Sequence, residues 1–572
     1  MGYEPSNPII VQGDSTVLVE VHAPKYNEAR DALSRFAELV KSPEHVHTYQ
    51  ITPLSIWNAV AAGYRVAEML AVLTTYSKYD VPKHVLREIE EYASRYGRLK
   101  LLRAEGSWIR LEASDAYLAE EIAHNKPLKP FLENRVDVVS FLVPAAQRGH
   151  LKLELTNAGW PPEDLVGYVD GEALAIIPRE VATSGRRFLV RPYQQEAAAI
   201  FHQDGNARGG SGVIVLPCGA GKTIVGIATM ARLQTSTLVL TTSVSAVRQW
   251  KAELLDKTGL GEDVIGEYSG FAKEIRPVTI TTYQILTHRK SAQAEFTHLG
   301  LFNERNWGLV IYDEVHVLPA PVFQFTADIQ ARRRLGLTAT LVREDGKENE
   351  VFALIGPKKY DVPWKDLERQ GWIAKALCSE VRLPLSAALR MDYAVADKRT
   401  RFRIASENPD KLACIHAILR CHEGECVLVI GQYIRQLEML AVELEAPIIH
   451  GSTPQKKRDM IFEEFRQGRI PVLVVSKVAN FALDLPDAQV AIQVSGTFGS
   501  RQEEAQRLGR ILRPKSNANI AHFYTLTTRD TSEIEFARNR QRFLTEQGYA
   551  YDIVDAENLA EALEDDARQN CL

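Results

Sequence analysis

The chain has 572 residues, 45% hydrophobic and 25% charged, with 68 Lys and Arg against 73 Asp and Glu and a formal net charge of −5. The length implies about three or four domains, and the composition excludes a disordered chain, a collagen-like repeat and a disulfide-stapled miniprotein. The slightly acidic balance excludes an overall basic surface, so any nucleic-acid site must be a local groove. Six cysteines without a CxxC pair read as reduced thiols. No transmembrane segment is expected, because the most apolar helical stretch, Trp57 to Leu73, carries Arg65 and Glu68. Met1 to Asp14 lacks a basic n-region, so the expected location is cytoplasmic.

Ile9–Val11 and Val17–Val21 flank Gly13-Asp14-Ser15 and predict a hairpin. A helix is expected from Tyr26 to Val40, then helices at Pro53–Ala62, Tyr64–Tyr76 and Pro82–Tyr96. A second hairpin, Arg98–Arg103 with Ser107–Leu111, follows. Three helices and a hairpin is the order of a winged-helix module, and equally that of a generic α+β domain; the expected domain is 1–127. Residues 128–182 read as a small separate α/β unit, with strands at Val138–Val143 and Leu151–Leu155 and a strand pair at Gly167–Ile177. Thr183-Ser184-Gly185 reads as a linker.

From Arg186 strand-like and helix-like runs alternate, the pattern of βαβ units on a parallel sheet. The strands are Gly212–Leu216, Thr237–Thr241 and Val278–Thr281, with helices at Thr223–Leu233 and Ser245–Thr258. The alternation restarts after Trp372, through Cys426–Ile430, Ile448–His450, Val472–Val475 and Val490–Val494. The fold class is therefore α/β: two tandem parallel-sheet domains, 183–370 and 371–550, behind an α+β N-terminal region. Residues 551–572 read as an acidic, poorly ordered tail.

Three motifs carry chemistry. Val213–Leu216 runs into Pro217-Cys218-Gly219-Ala220-Gly221-Lys222-Thr223 and then a helix. Glycines let backbone N–H groups face a phosphate, and the helix N-terminus adds partial positive charge. Lys222 supplies a point charge for the β/γ-phosphates and Thr223 a hydroxyl for Mg²⁺. Leu216 stands where the strict GxxxxGK[ST] pattern has glycine. Cys218 reads as a small turn residue rather than a redox switch. A second apolar strand, Trp307–Tyr312, ends in Asp313-Glu314-Val315-His316: Asp313 is placed to hold Mg²⁺, Glu314 to orient and deprotonate water, and His316 to couple hydrolysis to movement. A third, Leu335–Leu337, ends in Thr338 and Thr340, candidates to link the nucleotide site to a bound strand. Beyond the last strand of the second sheet, Arg510 and Arg513 share one face of a helical pattern that begins at Gln506, the placement expected of arginine fingers.

These blocks, in this order, resemble the superfamily-2 helicases. Arg191-Pro192-Tyr193-Gln194, Gln249-Trp250-Lys251, Asp313–His316 and Gln506–Arg513 are similar to the XPB-type (xeroderma pigmentosum group B) DNA helicases, in their bacterial and archaeal form. So are Arg343-Glu344-Asp345, matching the RED motif, and Gln541–Leu544 with Gln547-Gly548-Tyr549. Ala479-Asn480-Phe481 departs from the eukaryotic form of motif V. The resemblance is dense from about Phe188 to Tyr551. It implies two RecA-like motor domains with ATP hydrolysed at their interface and 3′-to-5′ movement on DNA. Nucleotide excision repair or transcription-linked opening is the expected setting, and the location is then nucleoid-associated when DNA is bound. It implies ATP and Mg²⁺ as cofactors, Gln194 as adenine reader, and Gly219, Gly221 and Gln506 among the nucleotide-binding residues. A damage-recognition-like domain is implied at 128–182 and a helical thumb at 386–406, where Arg390, Lys398, Arg399, Arg401 and Arg403 are either phosphate-gripping or merely solvated. The expected partners are DNA at single-strand/duplex junctions and a nuclease or repair protein. Two alternatives stand beside this reading: a double-stranded DNA translocase without processive unwinding, which shares every motif, and a non-enzymatic scaffold carrying a relic motor.

Overall fold

The computed structural model describes residues 3–41, 45–132, 134–185, 187–217, 219–289, 296–330, 332–339, 347–362, 364–476, 488–496, 520–538, 549 and 551–570. Two compact units form, one comprising Met1–Leu39, His45–Leu216 and Gly221–Asp361, the other chiefly Val362–Leu572. Among the described residues no helix is long and apolar enough to cross a membrane.

Among the described residues the first unit holds three sheets. The expected hairpin Ile9–Val11 and Thr16–Glu20 is present, in a four-stranded sheet that runs on through Val46–Gln50 to Glu38–Lys41. Helices Pro53–Ala61, Val66–Tyr76 and Lys83–Arg95 share its core, with Val17, Val19, Tyr49, Ile56, Leu73 and Ile89 at its centre. The helix from Tyr26 stops at Leu33 rather than reaching Val40. The Phe36 carbonyl accepts the Ser55 hydroxyl at 2.7 Å, and the chain beyond it is drawn into the sheet.

The second hairpin, Leu99–Arg103 with Trp108–Ala113, belongs to a different core from the three helices. It is the centre of a five-stranded sheet with Asn134–Arg135, Ser140–Pro144 and Glu163–Asp164. Leu151–Leu155, expected as a strand, lies inside helix Arg148–Asn157. Leu151 and Leu155, one turn apart and fully buried, face the small domain's core, while Leu153 packs on the core of the motor sheet. The helix is thus buried on two sides.

Gly167–Ile177 forms no strand pair either. It is an extended strap bonded to the segments that lead into the amino ends of the strands of this unit's largest sheet: Glu172 N–H donates to Asn306 O at 2.9 Å, Ser236 N–H to Glu172 O at 2.8 Å, and Gly259 N–H to Ile177 O at 2.9 Å. At Gly171, with φ +77°, a Cβ would meet Gly308 N at 2.2 Å, so only glycine allows this approach.

An ionic seam joins the small domain to the motor. Asp164 accepts from Arg148 at 2.7 Å and pairs with Lys152 at 3.0 Å. Lys152 also donates to Gln330 at 3.1 Å. Tyr168 has guanidinium groups of Arg148 and Arg334 at 5.4 and 5.6 Å from its ring. All three cations are buried around one carboxylate. Burial works against the charge of Asp164, but Arg148 and Lys152 hold its carboxyl well below the usual carboxylate range. Burial pulls Lys152 down to about 8, since it shares that carboxylate with Arg148 and faces Arg334. Asp164→Asn should therefore destabilise the chain by about 3 kcal/mol, as expected for a buried ion pair that loses one partner, read from the midpoint of denaturant unfolding. Because the folded pKa is depressed, this contribution is complete above about pH 4 and is lost as pH falls through the folded value; the variant should lose that acid sensitivity.

The motor sheet of the first unit has seven parallel strands in the order Ile265–Tyr268, Val278–Thr282, Thr237–Thr241, Leu309–Asp313, Arg333–Thr338, Ser211–Val215 and Lys358–Asp361. The three strands Ser211–Val215, Thr237–Thr241 and Val278–Thr282 are buried along their whole length, as expected for a parallel sheet covered on both faces.

The second unit has a sheet of the same kind: Ile448–Ile449, Val472–Val475, Val427–Ile430, Val490–Gln493, Ile520–Thr528, Lys375–Leu383 and Tyr551–Asp555, all parallel. The thumb segment is a pair of short helices, Ala387–Val395 and Lys398–Ser406. The segment expected as a loose acidic tail is structured. Tyr551–Asp555 is the last strand of the sheet, and helix Leu559–Asn570 buries Leu559 and Leu563, one turn apart, in the core.

Candidate active site

The chain crosses from Ser211–Val215 to Thr237–Thr241 with Arg333–Thr338 and Leu309–Asp313 lying between them. An open parallel sheet of this topology leaves a crevice at the carboxyl ends of its strands. The register sets Val215 beside Thr338 and Leu337 beside Asp313, so all three expected motifs emerge at that edge.

The phosphate loop leaves the first strand with Leu216 N–H donating to Thr338 O at 2.9 Å. Gly219 and Gly221 take φ +83° and +80°, and helix Lys222–Leu233 starts directly after. Cys218 lies outside the described residues. Gln194 is buried in the first turn of helix Pro192–His202, where its Oε1 accepts Arg191 N–H at 3.0 Å. Its amide nitrogen lies over the loop, only 2.6 Å from where a Cβ on Gly221 would stand.

Lys222 Nζ lies 2.9 Å from Glu314 Oε1. Glu314 takes φ +54°, a left-handed conformation that costs a non-glycine residue about 1 kcal/mol or more and persists only when its surroundings hold it. Burial alone would raise the Glu314 carboxyl, yet Lys222 and His316 beside it hold it below its usual range. Its Oε2 is buried with no hydrogen-bond partner among the described residues. Burial, together with the Glu314 carboxylate, pushes Asp313 up to about 6. His316 Nδ1 lies 2.7 Å from Thr338 Oγ1, joining the acidic box to the third strand.

These groups fit a nucleotide with a divalent cation. An ammonium and a glycine loop at a helix N-terminus suit phosphate, and two adjacent half-buried carboxylates, one oxygen of which makes no hydrogen bond among the described residues, suit a cation and a water. Sequence reasoning gave no role to two further residues at this edge. Trp250 Nε1 donates to Asp313 Oδ2 at 2.9 Å, and Tyr283 OH donates to Asp313 O at 2.9 Å. No hydrophobic pattern in sequence marks either residue: Trp250 lies in the polar run Arg248-Gln249-Trp250-Lys251, and Tyr283 follows Thr281-Thr282.

The chain matches family descriptions along its length. Residues 367–570 match the ERCC3/RAD25/XPB C-terminal helicase family, 187–343 the res subunit of type III restriction enzymes, and 9–137 a helicase conserved C-terminal domain. The DNA 3'-5' helicase XPB of Kineococcus radiotolerans is 53% identical over 552 residues, covering 96% of this chain and 97% of that one. Its counterpart in Mycobacterium tuberculosis is 53% identical over 96% of this chain and 98% of its own length. The chain belongs to the XPB family of superfamily-2 helicases. A more distant XPB relative, the helicase/translocase subunit of general transcription and DNA repair factor IIH from Antonospora locustae, is 34% identical over 96% of this chain and 82% of that protein. As an XPB-family helicase the chain uses ATP, and its first parallel sheet brings together Gln194, Gly221, Lys222, Asp313, Glu314 and Thr338, with Gly219 two residues before Gly221 and Thr223 following Lys222 in the helix. Thr340, Arg343, Glu344, Asp345, Gln506, Arg510 and Arg513 lie outside the described residues.

Proposed function

We propose that this chain is an ATP-dependent DNA helicase moving 3′ to 5′, acting in DNA repair or transcription-linked opening of the duplex. The observation that carries the chemistry is the Lys222–Glu314 pair at 2.9 Å beside Asp313. Lys222 binds the β/γ-phosphates, Thr223 and Asp313 hold Mg²⁺, and Gln194 reads the adenine. Mg²⁺, when bound, neutralises charge on the transferring phosphate. As Lys222 turns to phosphate, Glu314 loses its paired cation and becomes the stronger base for the attacking water. Arg510 and Arg513 are the proposed arginine fingers, with Gln506 at the same nucleotide. The His316–Thr338 contact supports passing hydrolysis to the strand that leads to Thr340. The setting in repair or transcription follows the printed name of the factor IIH relatives, and a nuclease or repair protein as partner is proposed from the chemistry of DNA opening alone.

ATP turnover measured with and without DNA tests the motor. Stimulation by DNA is expected, whereas a scaffold with a relic motor would show no turnover under either condition. Arg343-Glu344-Asp345 is assigned to strand separation, its acidic pair repelling phosphate and Arg343 holding it. Replacing all three by alanine should leave ATP turnover within about threefold, because none of them is a proposed nucleotide ligand, while strand displacement on the same duplex fails. Equal loss of both activities would make the motif structural.

A further inference from the structure

Asp313 is held twice by aromatic residues that hydrolysis itself does not require. Trp250 lies in helix Val244–Lys257, and its ring packs so closely on the helix behind the phosphate loop that a Cβ on Gly226 would stand 2.4 Å from it. The ring is 1% exposed, and its one polar atom donates to Asp313 Oδ2 at 2.9 Å. Two other buried tryptophans, Trp57 and Trp307, spend that donor on main-chain carbonyls, Tyr92 O and Leu301 O, both at 3.0 Å. Tyr283, 3% exposed, opens helix Tyr283–Leu286 and donates its hydroxyl to the main-chain oxygen of the same Asp313 at 2.9 Å. One ring therefore fixes the carboxylate and the other the peptide, immediately before Glu314 turns into its left-handed conformation. Neither residue comes from a segment that carries a proposed nucleotide ligand.

We propose that Trp250 and Tyr283 are positioning residues for the hydrolytic centre, holding the Asp313–Glu314 corner in the orientation that receives the divalent cation. This rests on the reading of Asp313 as a cation ligand. A rigidly oriented carboxylate binds a cation without losing rotamer freedom at that moment, and a charge-assisted bond from an indole sets the orientation more firmly than packing alone.

The test uses the full chain with Trp250→Phe and Tyr283→Phe; the second deletes only the hydroxyl, while the first deletes the indole N–H together with part of a buried ring. Mg²⁺ is titrated at fixed fluorescent ADP, ADP affinity is measured again in EDTA, and thermal unfolding is recorded. The Mg²⁺ midpoint should rise about tenfold for Trp250→Phe and about threefold for Tyr283→Phe, the range for one lost hydrogen bond to a charged and to a neutral acceptor. Affinity in EDTA should stay within about twofold, while the unfolding temperature falls by a few degrees, more for Trp250→Phe, whose shortened ring leaves a cavity. In an Asp313→Asn background Trp250→Phe should add nothing. An unchanged Mg²⁺ midpoint in whichever single variant folds overturns the proposal. So does a parallel loss of affinity in EDTA, or an undiminished effect in the Asp313→Asn background. If Asp313→Asn alone leaves the midpoint where it was, Asp313 is no cation ligand, and the functional reading beneath the proposal fails with it.

Discussion

Glu314→Gln is expected to bind ATP at least as tightly as the unaltered chain and to hydrolyse it about ten-thousandfold more slowly, a barrier increase of about 5 kcal/mol. The binding half follows from Lys222. Its ammonium is paired with Glu314 at 2.9 Å, and removing the negative charge frees it for phosphate. The turnover half follows because glutamine keeps the shape but accepts no proton from water. The left-handed backbone at Glu314 should persist, since Tyr283 still holds the Asp313 carbonyl. Nucleotide titration and single-turnover hydrolysis on the same preparation separate the two effects. Hydrolysis at a near-normal rate would remove Glu314 from the reaction.

Arg510→Ala should lower the maximal DNA-stimulated rate about a thousandfold, about 4 kcal/mol, the scale on which arginine fingers act. ATP affinity should change little, because the contact is assigned to the transition state and not to the ground state. Arg510→Lys should recover little, since an ammonium lacks the planar fork that meets two phosphate oxygens at once. Weakened ATP binding with an unchanged maximal rate would instead place Arg510 on ground-state nucleotide.

The residues of the phosphate loop and acidic box were legible in sequence because their strands are buried on both faces. Val213–Val215 and Leu309–Tyr312 read as apolar runs that stop at the chemistry. The order of those strands was not legible, yet it is what sets Val215, Thr338 and Asp313 at one edge. Leu151-Lys152-Leu153-Glu154-Leu155 alternates apolar and polar, so it fits a strand. The alternation arises because the helix lies between two cores, with Leu153 facing one and Leu151 and Leu155 the other. Gly167–Ile177 is extended as expected, but its hydrogen bonds go to the segments that lead into the motor sheet and not to itself. At the C-terminus, net acidity concealed Leu559 and Leu563, two buried residues that suffice to dock a helix. Trp250 and Tyr283 escaped because their contribution is a hydrogen bond to Asp313, which depends on tertiary position and leaves no spacing in the chain.

The central claim is that the motor converts ATP hydrolysis into directional strand separation, and strand displacement on duplexes with a single-stranded 3′ or 5′ tail tests it most directly. The account predicts displacement of the 3′-tailed duplex with ATP and Mg²⁺, little on the 5′-tailed one, and none on either with Glu314→Gln. ATP turnover stimulated by DNA with no displacement of either duplex would contradict it and identify the chain as a duplex translocase.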